Sequence, residues 1–390
     1  MHRVACIERP IERMKNSGLF CGVIALALGV LTPLLSAAPA EPVVGAYVFV
    51  HGPLDPARID AQRLTRIYYS FALIKDGVMV PGAPDDSANL AQITVLRKQN
   101  AKLQVMVSVG GWMGGAGFSD AALTAENRAR FAQSAAEFLE KYDLDGLDID
   151  WEYPGQAGPG NVYRAEDKQN FTLLLTELRV RLDEAGRRMH RHLLLTIAAG
   201  AGAEYLEHTE MAQVAQIVDQ VNLMTYDMCE ADGTTPSCHH TALYGNPAHR
   251  QQNSVDESVR LMEEAGVPAA KLVIGAAFYG RVWADVAPEN HGLYQPGKPP
   301  TNFHGSYDNL RNVAIGHGFT RYWDATAKAP WLYSEEQRMF VSYDDPESLT
   351  AKCAYVREKK LAGIMFWSYF DDTSGELLGA IDRAMHAPAQ

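Results

Sequence analysis

The sequence predicts an α/β fold, a (β/α)8 TIM barrel with a small α+β insertion between its seventh and eighth strands. Three observations carry this. Eight short apolar runs recur from residue 43 onward, amphipathic helical patterns fill several gaps between them, and residues 282 to 342 break the rhythm with aromatic segments separated by turn residues. Near-continuous apolar runs fit parallel strands covered on both faces. Eight of them, with helices between, in roughly 350 residues fit a closed barrel. A doubly wound sheet is the alternative arrangement of the same elements.

The runs follow in order. They are VVGAYVFV (Val43 to Val50), RIYYSFALI (Arg66 to Ile74), AKLQVMVSVGG (Ala101 to Gly111) and LDGLDIDW (Leu144 to Trp151). HLLLTIAAG (His192 to Gly200), QVNLMTYD (Gln220 to Asp227), KLVIGAAFYG (Lys271 to Gly280) and AGIMFWSY (Ala362 to Tyr369) complete the set. Between them, Asn127 to Tyr142 and Glu166 to Ala185 each carry one apolar stripe at helical spacing, suited to packing on strands. Ser254 followed by Glu257 reads as a helix start, with Gly266 as its stop. Pro346 is a good first-turn residue for the helix before the last strand. The domain expectation is a barrel of residues 41–282 and 343–390 carrying an insertion lobe at 283–342.

Residues 1–40 read as a signal peptide. An apolar run from Gly18 to Ser36 follows basic residues and ends in AAPA, where Ala38 and Ala40 suit signal-peptidase cleavage. The run is marginal for a membrane span, so the mature chain is expected to be secreted or periplasmic, without stable membrane association. Net charge is −12 with no Lys/Arg run, which argues against nucleic acid as a partner. Cys229 and Cys238 flank a Gly/Pro-containing polar loop and are either a local disulfide or two free thiols. No Cys/His cluster has zinc-site spacing; no metal and no cofactor are expected. A monomer is expected.

The chemistry concentrates in DGLDIDWEYP, Asp145 to Pro154. Residues i, i+2 and i+4 of a strand share a face. Asp148, Asp150 and Glu152 therefore point one way, and Leu147, Ile149 and Trp151 the other. Carboxylates stepping roughly 6–7 Å along a strand repel inside a barrel, which raises at least one pKa. Such crowding can hold Glu152 protonated near neutral pH, as a general acid requires. A wet edge strand would also alternate, but it does not account for Trp151 and Tyr153 beside the acids.

This stretch resembles the DxxDxDxE signature of glycoside hydrolase family 18, the chitinase-like enzymes, as Asp145, Asp148, Asp150 and Glu152. MVSVGGW (Met106 to Trp112), LMTYD (Leu223 to Asp227), FYGRVW (Phe278 to Trp283) and MFWSY (Met365 to Tyr369) resemble that family's other strand-end motifs, and the lobe resembles the α+β insertion of one of its branches. The resemblance implies retaining, substrate-assisted hydrolysis of β-1,4 bonds between N-acetylglucosamine units in chitin or chitooligosaccharides. Endo-β-N-acetylglucosaminidase action on N-linked glycans and non-catalytic chitin binding as a lectin are the alternatives.

The resemblance also implies roles. Glu152 matches the acid, Asp150 the residue that orients the 2-acetamido group, and Asp148 a deeper proton partner. Tyr226 would donate to the acetamide carbonyl. Asp227, fixed by Arg281, would bind the sugar, and Trp367 would floor the reacting ring, with Tyr47 lining the same place. Gly110 and Gly111 allow close backbone approach. Trp112, Tyr153, Trp283 and Tyr343 are candidates for further sugar contacts, and Met224 for the substrate wall. Ser108 is placed to hydrogen-bond in the acidic core. Asp145 lies off the inward register and is expected to hold a turn.

Overall fold

The computed structural model describes residues 41–247 and 253–387. The expected leader, residues 1–40, lies outside the described residues. Thirteen strands are described there: β1 (Val43–Phe49), β2 (Arg66–Lys75), β3 (Val78–Pro81), β4 (Gln104–Gly110), β5 (Gly146–Asp150), β6 (Leu194–Gly200), β7 (Gln220–Met224), β8 (Leu272–Ala277), β9 (Gly280–Trp283), β10 (Thr320–Asp324), β11 (Ala329–Ser334), β12 (Met339–Tyr343) and β13 (Gly363–Trp367).

Parallel pairing runs β1-β2-β4-β5-β6-β7-β8-β13 and returns to β1, which closes an eight-stranded barrel. The predicted (β/α)8 fold is therefore the observed one. Each barrel strand coincides with one of the eight apolar runs. The short β3 was not expected. Asp76 and Gly77, both left-handed, turn β2 back on itself to form it. Asp-Gly between apolar runs is a hairpin signal legible in the sequence.

The helices bury the predicted stripes. Thr124 caps the helix Ala125–Tyr142 by accepting from the Asn127 N–H, and Phe131, Ala135, Phe138 and Leu139 face the strands. Ser254 likewise caps Val255–Glu264, with left-handed Gly266 beyond its end. Pro346 opens the helix Pro346–Lys359 behind an Asp345–Ser348 capping box. On the far face of β5, Leu147, Ile149 and Trp151 are buried. The Trp151 ring stacks on Phe118 at 5.3 Å and stands edge-on to Phe171 at 5.7 Å. That packing fixes the strand's register and so aims its alternate residues inward.

Strands β10-β11-β12-β9 form a separate antiparallel sheet with its own small core around Trp283, Phe340, Trp331 and Leu293. Trp283 and Tyr343, candidates for sugar contacts by sequence, are correspondingly buried. The Trp283 indole donates to the Thr235 carbonyl at 3.0 Å. Both rings are packing residues on opposite faces of this sheet, Trp283 in the lobe's own core and Tyr343 in the main core, a facing the motif alone did not give. Cys229 and Cys238 are joined as a disulfide, and Cys353 is buried and unpaired. No helix among the described residues is long and apolar enough to cross a membrane.

Candidate active site

The lower barrel is filled by side chains. Tyr68, Met106, Val273 and Met365 form an apolar layer, and the Arg66 guanidinium lies below it against Gln104 and Gln220. Above, at the carboxyl ends of the strands, a cleft of about 1060 Å³ opens. Of the fourteen residues singled out by sequence as catalytic or in contact with sugar, all but Asp148, Trp283 and Tyr343 border it.

Asp148 lies just beneath, wholly buried. Its Oδ2 accepts from the Tyr47 hydroxyl (2.9 Å) and Ser108 Oγ (2.8 Å), and its Oδ1 from Thr196 Oγ1 (2.5 Å) and Asn222 Nδ2 (3.1 Å). Burial raises its pKa against these four hydrogen bonds. Asp150, one step up, is buried too, and its Oδ1 has no hydrogen-bond partner. Burial raises its pKa well above the usual carboxylate range, reinforced by Glu152 and Asp148. Glu152 is at the cleft wall. Burial pushes its carboxyl up to about 7, opposed by the Tyr153 hydroxyl and aided by the Asp227 carboxylate. Burial thus raises the proton affinity of all three stepped acids, and the carboxyl pushed up to about 7 stands where a proton donor is wanted.

Two glycines let β4 approach this stack. A Cβ on Gly110 would lie 2.1 Å from the Asp150 carbonyl oxygen, and one on Gly111 2.7 Å from the Phe71 ring. The Gly111 N–H donates to the Asp150 carbonyl at 2.9 Å. Trp112 follows at the rim, half exposed, and Tyr153 turns its ring toward Tyr205 at 5.9 Å. Asp145 sits at the opposite end of β5, where it accepts from the Val105 N–H and pairs with Arg97 and Arg191. It holds the strand's start and is remote from the cleft.

Opposite Glu152, Tyr226 and Asp227 follow β7. Burial first, then the Asp150 and Asp227 carboxylates, raise the Tyr226 phenol pKa, so the hydroxyl keeps its proton and remains a donor. Arg281 reaches both oxygens of Asp227 at 2.7 Å, and the Tyr279 hydroxyl adds a bond of 2.6 Å. Burial works to raise the Asp227 pKa, but His240 and Arg281 overcome it and hold the carboxyl well below its usual range. Burial also lowers the His240 pKa, so near neutral pH Arg281 supplies the positive charge. The same guanidinium reaches Glu230 at 2.7 Å, on the disulfide loop. Met224 borders the cleft beneath this group.

Trp367, at the end of β13, borders the cleft, with Phe71 stacked on it at 5.5 Å and Phe49 at 5.6 Å. Tyr47 abuts it at 5.9 Å, so one residue contacts both Trp367 and Asp148. Sequence reasoning missed several neighbours. Thr196 and Asn222, which bond Asp148, were visible as lone polar residues inside apolar runs. Tyr279 stood two positions before Arg281 in the same motif, FYGRVW. His240 and Phe71 carried no comparable signal. Among the described residues no group of three or more His, Cys, Asp or Glu is placed to hold a metal ion.

Comparison with known proteins agrees in extent. The family described as Glycosyl hydrolases family 18 matches residues 44–372. Chitinase A1 of Niallia circulans is 43% identical over 306 residues, covering 75% of this chain and 44% of that one. The chain thus spans less than half the length of that relative. Chitinase B of Serratia marcescens is 32% identical over 402 residues, 86% of this chain and 78% of the other. The structure of a family 18 N-acetylglucosaminidase from Paenibacillus barengoltzii superposes with a TM-score of 0.80 at 41% identity, over 88% of this chain and 99% of that one.

Proposed function

Because the chain belongs to glycosyl hydrolase family 18, we propose that it is a chitinase, hydrolysing β-1,4 bonds between N-acetylglucosamine units with retention of configuration. The observation that carries this is the pairing of Glu152, a carboxyl at the cleft wall pushed up to about 7, with the buried Asp150 one strand step below it. The similarity to chitinases of Niallia and Serratia supports chitin as the substrate class, and that to the Paenibacillus N-acetylglucosaminidase supports N-acetylglucosamine as the sugar.

Glu152 protonates the glycosidic oxygen as the bond to C1 breaks. The oxygen of the sugar's own 2-acetamido group attacks C1 and gives an oxazolinium ion. Asp150 accepts the acetamide N–H and stabilises the developing positive charge, and Asp148, beneath Asp150, tunes it by exchanging a proton with it. Tyr226 donates to the acetamide carbonyl. Glu152, now ionised, removes a proton from water, which adds to C1 from the departed side and reopens the ring. Asp227, held by Arg281, binds the sugar hydroxyls, and Trp367 with Tyr47 supports the apolar face of the pyranose. Gly111, Trp112, Tyr153 and Met224 line the neighbouring sugar positions. In the same reading residues 1–40 are a signal peptide, the insertion lobe expected at 283–342 takes in its whole sheet from 280 to 343, and the secreted or periplasmic chain acts as a monomer without cofactor or metal.

The test is cleavage of N-acetylglucosamine oligomers of defined length as a function of pH. The acid works only when protonated, so kcat/KM should be level below about pH 7 and fall about tenfold per unit above it. Release of high-mannose glycans with chitin oligomers left intact, or a rate that rises through pH 7, contradicts the reading.

A further inference from the structure

Behind the cleft lies a second buried polar cluster that the mechanism above does not use. Lys352, on the helix Pro346–Lys359, is wholly enclosed, and its Nζ is 2.6 Å from both Asp344 Oδ2 and Thr241 Oγ1. Asp344 also accepts from the Ala277 N–H at 3.0 Å and from Ser348 Oγ at 2.7 Å. An ammonium can only donate, so it occupies the Thr241 oxygen as an acceptor. The Thr241 hydroxyl proton is thereby left for the Thr225 carbonyl, 2.9 Å away, the nearer acceptor beside Asp344 Oδ2 at 3.4 Å. Thr225 Oγ1 is itself locked to the Gly275 backbone, donating to the carbonyl at 2.8 Å and accepting the N–H at 2.7 Å.

Thr225 is the residue before Tyr226 and Asp227. Asp227 has φ +56°, a left-handed backbone that a non-glycine residue keeps only where its surroundings over-determine it. Three of the bonds that hold this stretch of backbone come from one segment. The Asp227 N–H donates to His240 Nδ1 at 3.3 Å, the Met228 N–H to the His240 carbonyl at 3.0 Å, and Thr241 follows with its bond to Thr225. We propose that Thr241 is a positioning residue for hydrolysis: clamped by Lys352 and Asp344, it fixes the Thr225–Asp227 turn that presents Tyr226 and Asp227 to the acetamide-bearing sugar. The inference rests on the roles given above to those two side chains. A small displacement of groups that orient an internal nucleophile lowers turnover far more than it lowers binding of the whole oligomer.

The experiment compares wild type, Thr241→Val and Thr241→Ser by thermal melting and by steady-state kinetics on N-acetylglucosamine oligomers. Valine keeps the shape and removes the hydroxyl; serine restores it. The folded Val variant should lose about tenfold or more in kcat with KM changed less, and the Ser variant should stay within about twofold of wild type. Thr241→Ala, which leaves room for water, replaces Val if that variant does not fold, with the same loss expected. A folded Val or Ala variant with wild-type kcat, or a Ser variant as impaired as Val, overturns the proposal. Wild-type protein that leaves the oligomers uncut overturns the functional reading instead.

Discussion

Glu152→Gln should abolish nearly all turnover, by about 10²–10⁴-fold, while the protein still binds N-acetylglucosamine oligomers. The amide has the same shape but no proton to give to a leaving oxygen and no charge with which to activate water. Binding should survive because the groups proposed to hold the sugar, Asp227 with Arg281 and Trp367 with its aromatic neighbours, lie on other strands. Stability offers a control. The folded-state pKa of Glu152 is raised, so the native state binds the proton more tightly than the unfolded chain. That linkage favours folding at low pH and is lost as pH rises toward about 7. Glutamine carries no such penalty, so the variant should melt no lower than wild type above pH 7. Isothermal titration with an oligomer, beside turnover on the same substrate, checks both halves. A variant that turns over at the wild-type rate removes Glu152 from the role of acid.

Asp150→Asn should be nearly as damaging, about 10²–10³-fold in kcat, for a different reason. Asp150 is enclosed between Asp148 and Glu152, with one oxygen lacking any partner in the protein. An oxygen buried without a partner costs stability unless something arrives to satisfy it, and an acetamide N–H is of the right kind. Asparagine can present its oxygen there, so oligomer binding should change little. It cannot hold negative charge beside a developing cation, so the chemical step should slow. The loss should also alter the pH profile, because removing one acid from a stack changes the titration of its neighbours. The alkaline limb assigned to Glu152 should shift once Asp150 and Glu152 no longer titrate together. Measured kcat across pH 5 to about 9 for wild type and variant checks this. An unchanged profile contradicts the electrostatic account of the stack.

The barrel and its acidic strand were legible in the sequence because both rest on short-range periodicity. Leu147, Ile149 and Trp151 alternate with Asp148, Asp150 and Glu152, and period two leaves only one question, which face looks inward. Strong ordered motifs then located Tyr226, Asp227, Arg281 and Trp367 at the ends of other strands. Long-range partners were hidden. His240 reaches Asp227 from a loop that bears no periodic pattern, and Phe71 meets Trp367 only because β2 and β13 flank β1 in a closed sheet. Trp283 and Tyr343 show the opposite failure. Aromatic residues near a motif read as sugar contacts, yet the facing of a short antiparallel sheet depends on pleat and register that its sequence does not announce.

The central claim is that the attacking oxygen belongs to the substrate. It is tested most directly with two aryl oligosaccharides that differ only at the sugar next to the leaving group, one bearing the 2-acetamido group and the other a hydroxyl. The account predicts that wild-type protein cleaves the first and leaves the second almost untouched, with kcat/KM lower by about 10³-fold or more, since the internal nucleophile and its proximity advantage are gone together. Equal rates on the two substrates would contradict it.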